Sequence, residues 1–265
     1  MDTKQNPVGD LIREWRTRRR MSQLDLAMEA EISQRHLSFM ESGRSLPSRD
    51  MILHLSERLS VPLRQRNQIL LAAGYAPCFS EKSLDHPSLA PAMDAVRMVL
   101  KGHEPYPALA VDRHWNLIEG NAALAPLLAG VEDASLLEPP VNVLRLSLHP
   151  RGVAPHIVNL HEWRAHLIER LKHQNDTAGD PVLEALEKEL LGYPDGPRQG
   201  RPIQGNANII AHPLRMRVGD AELSFISTTT VFGTPLDVTL SEIAIESFFP
   251  ADEETASRLR ALATQ

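Results

Sequence analysis

Five side chains crowded between positions 34 and 39 are of the types that read the edges of base pairs: Gln34, Arg35, His36, Ser38 and Phe39. An arginine can fork onto guanine O6 and N7, a glutamine onto adenine N6 and N7, and an apolar ring can touch a thymine methyl. Leu37 and Met40, with Ile32 just before, recur at helical spacing and would turn inward. The polar set is thereby left on the opposite face. Arg44 and Ser45 follow at once and suit phosphate oxygens, contacts that position a protein on DNA without specifying sequence.

Two short helices are needed to present such a set. Ser33 is a good N-cap for the second, and Gly43 ends it in the left-handed conformation that glycine adopts without steric cost. Ser22 caps the first, with Asp25 three residues on, where an acid complements the helix N-terminus. Leu24, Ala27 and Met28 are its expected inward residues. The bland alternatives stand beside this reading. Helix pairs of this spacing also occur in ordinary helical cores, His36 reads as a solvated residue, and Phe39 reads equally as groove contact or as packing.

Residues 8–74 as a whole resemble the lambda-repressor/Cro-type helix-turn-helix of the XRE family of bacterial and phage regulators. Three further helices complete the match. One follows Asn6-Pro7 with Val8, Leu11, Ile12 and Trp15 on one face, one follows Ser48 with Met51, Ile52, Leu55 and Leu59 inward, and one runs from Leu63 to Ala73 before Gly74. The tight turn carries Glu31 where the family usually has glycine, at a cost of ~1 kcal/mol. The resemblance implies that Gln23 meets a backbone phosphate and that Ser33, Gln34 and Arg35 open the recognition helix. His36, Ser38, Phe39 and Arg44 complete the expected DNA-facing set.

Charge is distributed accordingly. The chain is −6 overall, yet residues 1–78 hold 12 Lys+Arg against 9 Asp+Glu, a net +3, and the remainder carries −9. A local basic footprint on an acidic body fits nucleic acid at one end only. Arg13, Arg16, Arg18, Arg19 and Arg20 concentrate the positive charge, either toward DNA or toward a helix C-terminus. At 265 residues the chain has room for two domains, expected at 1–78 and 92–265 with a turn-rich linker at 79–91. No apolar run suggests a membrane span or signal peptide, so a cytoplasmic protein is expected. Cys78, the single cysteine, excludes a disulfide framework and reads as a packing residue or a redox thiol.

Beyond the linker the pattern mixes types. A helix is expected over 90–100, strands at Ala108–Asp112 and Trp115–Glu119, a helix opening at Asn121, helices at Val158–Gln174 and Pro181–Leu191, strands at about 208–217, 221–232 and 236–247, and a closing helix at 251–263. That order suits a PAS-like antiparallel sheet, making the chain α+β. The runs PALAVDRHWNLIEGNAALAPLL, NVLRLSLHPRGVAPHIVNLHEWRAHLIERL and IIAHPLRMRVGDAELSFISTTTVFG resemble the ligand-binding domain of MmyB-like transcription regulators over roughly residues 92–262.

A sheet curved against helices leaves an apolar pocket with a few polar groups. The expected lining is Val111, Trp115, Leu124, Leu144, Trp163, Phe225 and Ser227, together with Leu128, Leu146 and Thr229. Asn121, Asn142, Arg145 and His149 are the convergent polar residues. The resemblance implies a fatty-acyl-like effector, with Arg145 as a conceivable carboxylate partner. Against this, the tryptophans read as plain core, Asn121 as a helix cap and Arg145 as half of a structural ion pair.

Catalysis finds no support. His161 and His166 are five apart, a spacing that turns two rings away from each other on a helix, and His149 and His156 add no metal motif. The serines lack a glycine elbow, and Gly200–Gly205 lacks the lysine of a phosphate loop. No catalytic residue, metal or cofactor is expected. The reading is a sequence-specific transcriptional regulator, a homodimer on a palindromic operator, gated by a small apolar effector. The alternative is a constitutive regulator whose second domain only dimerises or contacts RNA polymerase.

Overall fold

The computed structural model describes residues 7–195, 213–233, 235 and 237–263. It divides into two units, Met1–Ser83 with Thr234–Ser241, and Leu84–Gly233 with Glu242–Gln265. The first unit therefore takes in residues 79–83, expected as linker, and a segment from far along the chain.

Helices α1 (Pro7–Arg18), α2 (Gln23–Glu29), α3 (Gln34–Glu41), α4 (Arg49–Arg58) and α5 (Leu63–Ala72) build the first unit. Three start on serine. The Ser22, Ser33 and Ser48 hydroxyls accept from the amides of Asp25, His36 and Met51 at 3.1, 3.1 and 3.2 Å, and Asp25 returns the bond to the Ser22 amide. Val8, Ile12, Trp15, Leu26, Ala27, Leu37, Met40, Ile52, Leu55, Ile69 and Leu70 form one core. On α2 the inward face is Leu26, Ala27 and Ala30, while Leu24 and Met28 are 51% and 70% exposed. Both triplets satisfy helical spacing over so short a helix, and the position of neighbouring helices selects between them. Glu31 takes φ +53° and Gly43 φ +74°. The tight turn thus accepts the left-handed strain of a residue with a Cβ.

The second unit follows with α6 (Ala90–Gly102), β1 (Ala108–Val111), β2 (Leu117–Gly120), α7 (Ala125–Leu128), α8 (Val143–Leu148), α9 (Leu160–Ala178), α10 (Pro181–Leu191), β3 (Leu214–Val218) and β4 (Ala221–Val231). The short α11 (Val238–Ser241) belongs to the first unit, and β5 (Ala244–Pro250) and α12 (Glu253–Leu262) complete the second. The five strands form one antiparallel sheet in the order β2-β1-β5-β4-β3. Trp163, Leu167 and Leu171 of α9 and Leu183, Leu186 and Leu190 of α10 pack with Leu214, Met216, Leu223 and Phe225 of the sheet into a single core.

Residues 143–148, to which the sequence reading assigns no element, are helical, capped by Asn142, whose side-chain oxygen accepts from the Arg145 amide at 3.0 Å. The last strand starts at Ala244 instead of 236, because 237–241 pack in the first unit, with α11 against α5 and the Val238 amide donating to the Ser80 carbonyl at 2.7 Å. The strand expected at about 208–217 is β3 from Leu214, and its earlier residues, like Gly200–Gly205, lie outside the described residues. Among the described residues no helix is long and apolar enough to cross a membrane.

Candidate functional site

The expected recognition face is built by α3. Ser33 caps it, Gln34, Arg35 and His36 stand exposed on its first turn, and Ser38 and Phe39 are half-buried one turn later. The Phe39 ring carries two guanidinium groups, Arg35 at 5.2 Å and Arg44 at 5.6 Å from its centroid. Stacking on an aromatic face restrains long flexible side chains while leaving their donors outward. Phe39 is therefore neither wholly core nor free: it is a shelf beneath the two arginines.

Behind this face lies Glu41, buried at 1% exposure. Its Oε1 accepts from Arg16 Nε at 2.7 Å, and its Oε2 accepts from Arg16 Nη2 at 2.9 Å and from Gln23 Nε2 at 2.8 Å. Arg13 Nη2 donates to its backbone carbonyl at 2.8 Å. Burial alone would raise the Glu41 carboxyl, but the Arg16 and Gln23 hydrogen bonds and the nearby positive charges outweigh it and hold the group below the ordinary carboxylate range. Gln23, expected at a phosphate, is half-buried and gives its Nε2 to Glu41. The arginine run is largely structural as well: Arg16 and Arg13 serve Glu41, Arg18 pairs with Glu14, and Arg19 donates to the Leu59 and Ser60 carbonyls at 2.8 and 2.9 Å.

The second unit holds a cavity of about 120 Å³. Half of its wall is leucine, joined by Trp115 and Trp163, and among the described residues its polar lining is Ser147, Arg170 and Glu246. Trp115 is held with φ +67°, in a region that bulky residues rarely adopt. Two bonds hold it there: its amide donates to the Asp112 carbonyl at 3.0 Å, and its indole Nε1 donates to Gln174 Oε1 at 2.8 Å. Arg170 lies 4.6 Å over its ring. The Arg170 guanidinium forks onto Glu246 at 2.5 and 2.9 Å and donates to Thr229 Oγ1 at 2.6 Å, and that hydroxyl donates in turn to Glu246 at 3.0 Å.

Of the expected lining residues, Trp115, Leu124, Leu144 and Trp163 face the cavity, as do Leu128 and Leu146. Val111 and Phe225 do not. They are buried in the surrounding core, because their strand registers turn them into packed layers. Ser227 is half-buried opposite Phe248 on the sheet and lies outside the lining, as does Thr229, which reaches the site only through Arg170 and Glu246. Asn121 is a structural tie: its Nδ2 donates to the Leu100 and Tyr106 carbonyls at 3.1 and 2.8 Å, and its Oδ1 accepts from the Ala108 amide at 3.0 Å. Arg145 points away to Glu189, with bonds of 2.7 and 2.8 Å. Tyr193 also donates to Glu189, and burial together with that bond pushes its hydroxyl up to about 12. Asn142 caps α8, and His149 packs edge-on against Tyr193.

Arg170 and Glu246 were missed, and a signal for each existed. Trp163, Leu167 and Arg170 fall at i, i+4 and i+7, so α9 carries a cation on its buried stripe. Glu246 interrupts an apolar strand in the same way.

Comparison with known proteins decides the family. Residues 92–262 match the MmyB-like transcription regulator ligand binding domain. The chain belongs to this family. Residues 12–65 match the helix-turn-helix family. A protein from Methanoculleus marisnigri, described by name only as an HTH-type transcriptional regulatory protein, is 37% identical over 111 residues, covering 40% of this chain and 35% of its own length. The chain thus spans about a third of that relative. This MmyB-like chain thus carries the ligand-binding domain of a transcription-regulator family behind a helix-turn-helix domain. Among its described residues no three His, Cys, Asp or Glu side chains are grouped as metal ligands.

Proposed function

We propose that this regulator binds a palindromic operator as a homodimer and that a small, fatty-acyl-like effector in the cavity of the second unit changes its DNA affinity. Gln34, Arg35, His36 and Ser38 read bases, Ser33 and Arg44 contact phosphate, and Phe39 holds the arginines in place. A single recognition helix reads only a few base pairs, so a two-fold pair with half-sites about 34–36 Å apart supplies the specificity. The observation that carries the effector reading is the hydrocarbon-walled cavity with one ion pair at its edge. A filled core would favour a constitutive regulator. The volume is close to that of an engineered cavity of about 150 Å³ that holds benzene, so the wall as it stands suits a short chain, and longer chains must displace leucines.

A route from effector to DNA follows from the connectivity. Thr229 and Glu246 are cross-strand partners, two residues from the point where β4 and β5 part at the Val231–Ala244 pair. The segment between, Thr234–Ser241, is seated in the first unit by Val238 on Ser80 and by the Thr239 hydroxyl on the Lys82 carbonyl at 2.6 Å. An effector that prefers one geometry of the Arg170–Glu246 pair would bias these strands, and only by its differential affinity for the two states.

The test is a selection of duplexes from a randomised pool, followed by titration of the chosen duplex with and without short-chain amphiphiles. Sequence preference is expected, with an affinity that moves on addition. Leu128→Phe, which fills the cavity with a ring, should abolish the response while the operator is still bound. No sequence preference would remove the DNA reading, and an unchanged response in the filled variant would remove the cavity from it.

A further inference from the structure

The cavity has one charged corner, and its two charges cancel. Among the described residues, Arg170 and Glu246 are the only ionisable ones in the lining, and they are locked to each other and to Thr229. Glu246 is 4% exposed, and the rest of the wall is hydrocarbon apart from Ser147. On the open side of Arg170, α9 carries Lys172, His166 and His173 beside Glu169 and Asp176, so one lysine faces two carboxylates. Among the described residues on that side, the lysine brings no excess of positive charge over the two carboxylates.

From this we infer that the effector's polar head is uncharged, an amide, ester or alcohol on a short acyl or alkyl chain, and that the site discriminates against the corresponding carboxylate. The inference rests on the effector reading given above. A carboxylate reaching Arg170 would share one guanidinium with Glu246 and leave a net negative charge in an apolar, poorly solvated site. Burying an uncompensated charge is costly, and like charges held close force one of them to take up a proton. An amide has no such difficulty. Its carbonyl can accept from Arg170 or from the hydroxyl of Ser147, whose oxygen accepts from Trp163 Nε1 at 3.2 Å and which keeps its own proton to donate. Its NH₂ can donate to Glu246. The Arg170 contact with the Trp115 face survives in either case, since the ring holds the guanidinium from its flat side.

The experiment is calorimetric titration of the full chain with octanamide and with sodium octanoate, equal in length, at about pH 8, where the acid is fully ionised. Octanamide should bind about tenfold tighter or more. In Glu246→Gln, which leaves Arg170 without its counter-charge, the order should reverse in favour of octanoate. Should that variant fail to fold, Arg170→Met with Glu246→Met replaces the pair by apolar side chains of similar length and should bind both probes with no preference for the amide. Octanoate binding as tightly as octanamide to the unaltered chain would overturn the inference and leave the effector reading standing. A preference that persists unchanged in Glu246→Gln or in the double variant would overturn the assignment to this pair. If neither probe binds, the effector reading fails and the inference falls with it.

Discussion

Each half of this protein buries one glutamate, and the two are used in opposite ways. Glu41 in the DNA-binding unit takes hydrogen bonds from two other helices, Arg16 of α1 and Gln23 of α2, and holds α3 at its base. Glu246 in the ligand-binding unit also takes a forked arginine, but its partner borders a cavity and stacks on a strained tryptophan. Residue type and burial are nearly the same in the two places. The difference lies in what surrounds the pair: packed side chains around Glu41, and a cavity beside Glu246, where we propose recognition.

The sharpest way to break this comparison is Glu41→Ala. Removing one partner from a buried pair strands Arg16 and should destabilise the DNA-binding unit by about 3–5 kcal/mol, seen as an early unfolding transition in denaturant titration followed by circular dichroism. The same carboxylate predicts acid sensitivity. Its folded pKa lies below the ordinary value of 4.5, so its stabilisation is complete above that pH and is lost as pH falls through the depressed value. Glu41→Gln should flatten the dependence of unfolding on pH in this range. If both variants unfold like the parent chain, Glu41 is not a fastening.

Next in size are the two arginines on Phe39. Arg35→Ala should weaken binding to the preferred duplex by about 1–3 kcal/mol and leave non-specific binding nearly intact. Arg44→Ala should lower affinity on all sequences alike and reduce the salt slope by about one contact. A uniform loss for Arg35, or an unchanged slope for Arg44, would exchange or cancel these roles. The smallest effect belongs to Arg145→Ala. Its pair with Glu189 is about two-fifths exposed, so screening limits the loss to about 1 kcal/mol or less, and effector binding should not change. A drop in effector affinity would show that the cavity reaches further than its present lining.

Much of the first unit was legible because its signals are local. Ser22, Ser33, Ser48 and Gly43 mark helix ends through bonds to residues within one turn, and the exposed set on α3 follows from the positions of Leu37 and Met40. The inward face of α2 was misread because Leu24 and Met28 satisfy the same period as Leu26 and Ala30. In the second unit Trp115, Leu124, Leu144 and Trp163 were found as large apolar residues, although Trp115 sits in the turn before β2 and not on the strand expected from it. Asn121 and Arg145 were assigned to the cavity only because nothing in their neighbourhood along the chain announces Leu100, Tyr106 or Glu189 as partners.

What the residues determined unaided is whatever acts over one or two helical turns: the capped helix pair, the outward set from Gln34 to Phe39, the basic first unit on an acidic body, and the family resemblance those runs carry. Tertiary structure alone decided which charges meet. Arg170 and Glu246 are 76 residues apart and Gln23 and Glu41 are 18 apart, and electrostatic pairing depends on distance in space, which the chain fixes only after its apolar faces have closed.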